Sequence, residues 1–143
     1  MRRKDFPAPK EGFVITHFLT ISDFDRSRKF YSEILGAQVV KESEPCIVKI
    51  ANTWITLNVG GGPTEDKPNV TLKTPDDLNN VSSFLNFRVA DVQKVYKEWT
   101  AKGAKFLTPP VDHGMEIRCY LRDPDNHLIE VGQATGILEF LED

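Results

Sequence analysis

The sequence predicts an α+β protein made of two tandem βαβββ units. Residues 117–133 have the pattern of two strands joined by a tight turn, because apolar and polar side chains alternate around a D-P-D-N turn at residues 123–126. A second segment has apolar or aromatic residues at the spacing of one helix face, at Val92, Val95, Tyr96 and Trp99. The two halves of the chain repeat one order of elements, so each half is expected to form one unit.

The first unit is expected at residues 13–60. Residues 13–21 are apolar and β-branched, which favours a strand. Ser22 or Asp23 can cap the helix that follows, and Gly36 is placed to end it. The remaining strands of this unit are expected at residues 37–41, 46–50 and 53–59.

The second unit is expected at residues 82–133. A strand at residues 83–89 leads into a helix that Asp91 caps and Gly103 ends. A short strand is expected at residues 105–107, before the break at Pro109-Pro110. The strand–turn–strand pattern of residues 117–133 then closes the unit.

Three segments lie outside the two units. Residues 1–12 hold charges, two prolines and a glycine, and are expected to form a flexible arm. Residues 134–143 form a tail that can fold as a short helix. Residues 60–81 form a long linker, and a loop of this length in a compact domain is often functional. The linker's triple glycine lacks the remainder of a phosphate-loop motif, so a nucleotide site is not expected.

Composition and charge limit the classes of partner. The net charge is −3 and residues 2–4 form the one basic run, so neither nucleic acid nor an anionic membrane is expected to bind. No apolar run approaches the length of a membrane helix and no signal-peptide pattern follows the N-terminus, so a cytoplasmic location is expected. Cys46 and Cys119 stand in apolar surroundings and are expected to be buried free thiols.

Two motifs resemble those of the glyoxalase I, bleomycin-resistance and extradiol-dioxygenase superfamily, also called vicinal oxygen chelate proteins. Residues 123–130 read DPDNHLIE and follow its D-P-[DN]-[GN]-x-x-[IL]-E run. Residues 22–36 read SDFDRSRKFYSEILG and follow its S-D-x-x-R-S-x-x-F-Y-x-x-x-L-G signature. The resemblance covers residues 13–133. It implies one glyoxalase-like domain whose two units form a curved mixed-sheet cleft, and it implies a homodimer, but it does not specify an activity.

Strand alternation assigns a set of side chains to the implied cleft. Glu130, Glu116 and Tyr120 are the candidate catalytic residues, since each carries an acid or a phenol onto that face. The candidate substrate-binding residues are polar or aromatic, and they are Arg88, Arg118, Asn86, Trp54, Asn58 and Phe84. The two arginines would suit a carboxylate or phosphate on a small substrate. The alternative is that arginines and glutamates pair and neutralise one another.

The resemblance also implies a divalent metal (Mn, Fe, Ni or Zn) as an optional cofactor. In metal-dependent relatives the ligands stand at positions that correspond here to Thr16, Thr56, Phe84 and Glu130, of which only Glu130 is a good ligand. His17 follows the first of these positions by one residue. A β-bulge would turn His17 into the cleft to make a weak site with Glu130. The alternative is a histidine packed on the helix side of the sheet.

Two classes of function remain open. An enzyme of glyoxalase type, with lyase, isomerase or dioxygenase chemistry, would move a proton through Glu130 or Glu116 and orient its substrate through Tyr120, with or without a metal. A metal-free binding protein of the antibiotic-sequestering kind would use the same cleft and its aromatic side chains. Both classes predict a small-molecule ligand.

Overall fold

The computed structural model of the chain describes residues 2–143 and confirms the α+β class with two βαβββ units. The chain divides into two units, the first running to Thr74 and the second from Pro75 to Asp143. Each unit contains one open, four-stranded mixed sheet. In each sheet the first strand pairs in parallel with the last, and the other neighbours are antiparallel.

The sheet of the first unit has the order β1-β4-β3-β2. These strands are β1 (His17–Thr20), β2 (Gln38–Lys41), β3 (Cys46–Ile50) and β4 (Thr53–Asn58). Helix α1 (Phe24–Lys29) follows β1 and continues as a π-helical segment, Phe30–Ile34. The carboxylate of Asp23 accepts a hydrogen bond from the Arg26 backbone N–H at 2.9 Å, which is the predicted cap. The core of this unit packs around fully buried side chains of Tyr31, Val48, Ile55 and Leu57.

The first strand is shorter than predicted. Phe13 and Ile15 are 86% and 82% exposed, and pairing with β4 begins only at His17, opposite Ile55. Because β4 itself starts at Thr53, and the parallel register sets His17 opposite Ile55, Phe13 and Val14 lie beyond the start of β4 and have no strand beside them. Apolar sequence alone predicts a strand there, but a strand also needs a paired neighbour.

The sheet of the second unit has the order β5-β8-β7-β6. These strands are β5 (Leu85–Arg88), β6 (Val111–Asp112), β7 (Glu116–Arg122) and β8 (Leu128–Ala134). Helix α2 (Val92–Ala101) begins at the predicted cap, where the Asp91 carboxylate accepts from the Lys94 backbone N–H at 3.1 Å. Trp99 of α2 is buried and meets Phe87 of β5 edge to face at 5.6 Å, so the helix covers one side of the sheet.

The prediction of a strand at residues 105–107 is wrong, because no strand forms there. Phe106 forms a single bridge with Leu121, and the edge strand is β6 instead. Pro109-Pro110 separates the two pairings, because proline has no N–H to donate to a ladder. The edge of the sheet therefore has two short contacts with β7 where the sequence predicts one.

The segments between and beyond the strands are also structured. Short 3-10 helices lie at Arg3–Asp5 and Gly136–Phe140. In the linker, Gly61 bridges Leu72, and the Lys67 ammonium group donates to two carbonyl oxygens, those of Gly62 and Val70. Both cysteines are free and buried, as expected. Within residues 2–143, every helix is too short or too polar to cross a membrane.

Candidate functional site: a polar sheet face in the second unit

The register of the second sheet brings its ionisable side chains to one face. The antiparallel pairing of β7 and β8 sets Tyr120 opposite Glu130 and Arg118 opposite Gly132. The parallel pairing of β5 and β8 sets Arg88 beside Gly132. Side chains of paired residues point to the same side of a sheet. We call this side the polar face, and its members are Phe84, Asn86, Arg88, Glu116, Arg118, Tyr120, Glu130 and Gly132.

The charged members of the polar face form one continuous chain of contacts. Arg118 donates to Glu116 at 2.7 Å, and the other oxygen of Glu116 accepts from Arg88 at 3.0 Å. The second Nη of Arg88 lies 3.3 Å from Glu130, whose other oxygen accepts from the Tyr120 hydroxyl at 2.7 Å. Two arginines thus neutralise two glutamates. The predicted alternative of mutual pairing is therefore present in the structure, with Arg88 shared between both acids.

Glu130 is the most enclosed charge of this chain of contacts. Its side chain is 8% exposed, against 26% for Glu116 and 45% for Arg88. A buried carboxylate is costly unless its oxygens are hydrogen-bonded and its charge is balanced. Tyr120 and Arg88 each satisfy one oxygen of Glu130, and this pairing stabilises the carboxylate inside the sheet face.

Gly132 makes the central contact possible. A Cβ atom at this position would lie 2.1 Å from Nη1 and 2.9 Å from Cζ of Arg88, so the guanidinium lies in the space that a side chain would fill. Gly132 is not among the candidate site residues that strand alternation predicts. The available signal was a glycine inside a strand, two positions after Glu130, since such a glycine often marks a close approach of another group.

The network sets the protonation of its members. Hydrogen bonds from Arg118 and Arg88 lower the pKa of Glu116, and the Arg118 contact is the larger cause. Burial raises the pKa of Tyr120, and the hydrogen bond that it donates to Glu130 raises it further. Glu116 is therefore ionised and Tyr120 is a neutral phenol at neutral pH.

Three members of the polar face retain capacity for a ligand. The Arg118 side chain is 35% exposed and, among the described residues, its guanidinium has only the Glu116 contact. Asn86 is exposed on β5, with no side-chain partner in residues 2–143. The Phe84 ring is 39% exposed and meets Tyr120 edge to face at 6.1 Å. A cation, an amide and an aromatic edge are thus open on one surface.

The remaining predicted site residues belong to the first unit. The Trp54 indole N–H donates to the backbone oxygen of Asp5 at 2.8 Å, and the Lys49 ammonium lies 4.6 Å from the indole centroid. Trp54 and the N-terminal segment line a groove of about 430 Å³. The Asn58 side chain accepts from the Gly60 backbone N–H at 3.0 Å. The structure therefore places both residues in contacts within their own unit.

The donor atoms present do not fit a divalent metal at Glu130. Both Glu130 oxygens already accept hydrogen bonds, and Phe84, the other position of this unit that the resemblance implies, has no donor atom. In the first unit β1 pairs with β4 without a register shift, which puts His17 on the same face as the buried Ile55. Within residues 2–143 no three His, Cys, Asp or Glu side chains are grouped to hold a metal ion.

Comparison with known proteins identifies the family. Residues 14–131 match the profile of the Glyoxalase/Bleomycin resistance protein/Dioxygenase superfamily, and the chain belongs to that superfamily.

Among individual relatives, a probable lactoylglutathione lyase from Synechocystis is 24% identical, over 87% of this chain and 97% of its own length. A virulence protein of Salmonella typhimurium is 28% identical over 80% of this chain and 79% of its own. The solved structure of that virulence protein has a TM-score of 0.61 and covers 85% of this chain and 97% of its own. A solved structure from the mobile metagenome of V. Pseudocholerae has a TM-score of 0.68 at 25% identity, covering 90% of this chain and 98% of its own.

Proposed function

We propose that the chain is a metal-free binding protein of the superfamily, which takes a small polar or anionic molecule on the polar face. The observation that carries this proposal is Arg118, whose guanidinium has one described partner and a side chain that is 35% exposed. Two parallel N–H groups of a guanidinium suit the two oxygens of a carboxylate or phosphate. Asn86 adds an amide, and Phe84 adds an aromatic edge for the apolar part of the ligand.

The protonation of the site supports binding rather than proton transfer. A general base works best when its pKa lies near the operating pH. Arg118 and Arg88 lower the pKa of Glu116, which moves it away from neutrality. Both oxygens of Glu130 are engaged by Tyr120 and Arg88, and its side chain is 8% exposed, so little of this acid is open to a substrate.

The test is ligand binding to matched variants. Benzoate and phenylphosphonate, with neutral benzamide for comparison, are titrated into the protein and followed by amide chemical shifts in NMR spectra. We expect saturable shifts around β7 and β8 with the two anions, and a loss of roughly tenfold or more in affinity in Arg118→Gln, about 1.4 kcal/mol. Lys97→Gln removes a positive charge from the exposed side of α2 and is the control. Equal affinities in both variants, or no preference for the anions over benzamide, would contradict the proposal.

A second candidate is a lyase of glyoxalase type. It is favoured by the Synechocystis relative, which is named a probable lactoylglutathione lyase and aligns over nearly its whole length. In this case Glu130 would serve the proton transfer and Tyr120 would orient the substrate. Lactoylglutathione lyase activity is to be assayed with the protein alone and after addition of Mn, Fe, Ni or Zn. Turnover that Glu130→Gln abolishes would favour the lyase, and its absence under all conditions would leave the binding protein.

We further propose that residues 13–133 act as one functional domain within a homodimer, with the arm and the tail as accessory segments. The superfamily resemblance supports this assembly. Sedimentation equilibrium of the full chain measures it, and a monomer at all concentrations would refute it. The cytoplasmic location stays a prediction that cell fractionation can test.

A further inference from the structure

We infer that the Arg88 guanidinium is a built-in cation that takes the place of an added metal ion at Glu130, and that Gly132 is the residue that makes room for it. This inference concerns the charge balance of the polar face, and it does not depend on which small molecule binds there. Three observations carry it: the convergence of two acids on one guanidinium, the burial of Glu130, and the space above Gly132.

Glu116 and Glu130 converge on the guanidinium of Arg88. Nη1 of Arg88 contacts Glu130 at 3.3 Å and Nη2 contacts Glu116 at 3.0 Å, so a single cation bridges both carboxylates. Divalent ions are commonly held by one or two carboxylates together with water. The guanidinium therefore stands where an ion shared by these two carboxylates would bind, and its charge is of the same sign.

The burial of Glu130 makes its carboxylate dependent on a nearby positive charge. With its side chain 8% exposed, this carboxylate needs a fixed counter-charge, because water reaches it poorly. Removing the guanidinium would leave Glu130 with Tyr120 as its remaining donor and Glu116 with Arg118 as its remaining cation, so two acids would face one gap with a single positive charge. A cation from solution would then relieve the repulsion between the two acids.

The missing side chain of Gly132 leaves the space that the Arg88 guanidinium occupies. The backbone dihedrals of Gly132 are outside the left-handed region, so alanine is allowed there by the backbone, yet the added Cβ would lie 2.1 Å from Arg88 Nη1. The clash is with the far end of a flexible side chain, which can move away. Gly132→Ala is therefore expected to leave the fold intact while it displaces the guanidinium from Glu116 and Glu130. Gly62→Ala is the matched control, because no atom lies within 4 Å of an added Cβ at that glycine.

The first experiment uses Mn²⁺ as the probe. Binding of Mn²⁺ to the full chain is followed by electron paramagnetic resonance of the free ion. We expect the unsubstituted protein to bind Mn²⁺ only weakly and below one ion per chain, and Arg88→Ala to bind one ion with an affinity at least roughly tenfold higher. Adding Glu130→Gln to Arg88→Ala should abolish this gain. Arg88→Lys, which keeps a positive charge in the gap, should bind no more Mn²⁺ than the unsubstituted protein.

Two results would overturn the inference. Stoichiometric Mn²⁺ in the unsubstituted protein, lost in Glu130→Gln, would mean that Arg88 does not hold the place of the ion. A folded Arg88→Ala without added Mn²⁺ affinity would mean that the gap is not a cation position. Failure of the anion titration with Arg118→Gln would refute the proposed function alone, since these metal measurements do not involve that residue.

The second experiment does not need an alanine at position 88. The ¹⁵Nη resonances of a clamped arginine are resolved, whereas free rotation about Nε–Cζ averages them. We expect resolved Arg88 resonances in the unsubstituted protein and in Gly62→Ala, and averaged ones in a folded Gly132→Ala. The melting temperature of Gly132→Ala should lie below that of Gly62→Ala, because Glu130 loses its counter-charge. Resolved Arg88 resonances in a folded Gly132→Ala would refute the role of the glycine.

Discussion

Replacement of Tyr120 by phenylalanine tests whether the polar face is held together by the Glu130 carboxylate. The hydroxyl of Tyr120 donates to Glu130 at 2.7 Å, and the Glu130 side chain is 8% exposed. Phenylalanine keeps the edge contact with Phe84 and removes only the hydrogen bond. Hydrogen bonds to charged groups contribute about 1.5–3 kcal/mol. Because Tyr120 is half-buried and water can partly replace its hydroxyl, we expect a loss of about 1.5–2 kcal/mol in the free energy of unfolding.

The measurement is urea unfolding followed by tryptophan fluorescence, with Tyr96→Phe as the control. The Tyr96 ring packs against Phe106 at 4.9 Å and is also half-buried, but its hydroxyl has no partner among the described residues. We expect the control to change stability by less than about 0.5 kcal/mol. A double-mutant cycle of Tyr120→Phe with Glu130→Gln should give a coupling of about 1–2 kcal/mol. Additive effects, or a Tyr120→Phe variant that matches Tyr96→Phe, would refute the reasoning.

Three further predictions concern a cap, an ion pair and the core. Asp91→Ala should cost about 1 kcal/mol, because it removes the cap of α2, and an unchanged urea midpoint would contradict it. The lowered pKa of Glu116 gives stability that is present above its ordinary value of 4.5 and is lost as the pH falls through the folded-state value, so Glu116→Gln should flatten the acid limb of stability against pH. Parallel acid limbs would instead mean that the contact with Arg118 does not affect stability. Ile129→Ala should cost about 2–5 kcal/mol because its side chain is fully buried, whereas Leu138→Ala, at a site 57% exposed, should cost far less by the same urea assay.

The sequence predicted the elements of the fold better than it predicted the contacts of the site. Capping acids and a following glycine mark both helices, and those signals are local. The position of β6 was missed because it depends on where a neighbouring strand continues after Pro109-Pro110, and sequence periodicity does not contain that information. Strand ends depend on pairing in the same way, as the exposed Phe13 illustrates.

Alternation along a strand assigns a side chain to a face, but it does not determine which charges pair across the face. Arg88 and Arg118 were equivalent by pattern, yet the structure shares Arg88 between two acids and leaves Arg118 with one. Both arginines pair with Gly132, one on each neighbouring strand, but it is the Arg88 guanidinium that occupies the space of the missing side chain. A role for the glycine depends on a distance between two strands, and a single sequence does not record such a distance.

Stability alone does not account for a charged network on this face. Apolar replacements of similar volume for buried ion pairs are often neutral or stabilising, so a sheet that only had to fold could dispense with Glu130 and Arg88. Retaining them requires the space above Gly132 and a hydrogen bond from Tyr120, and loss of either would leave a buried charge poorly compensated. At the surface, Arg88 also donates to Glu116, and Glu116 in turn fixes one edge of the Arg118 guanidinium. Through Glu116, the pair of Arg88 and Glu130 therefore orients Arg118, the cation to which we assign the ligand.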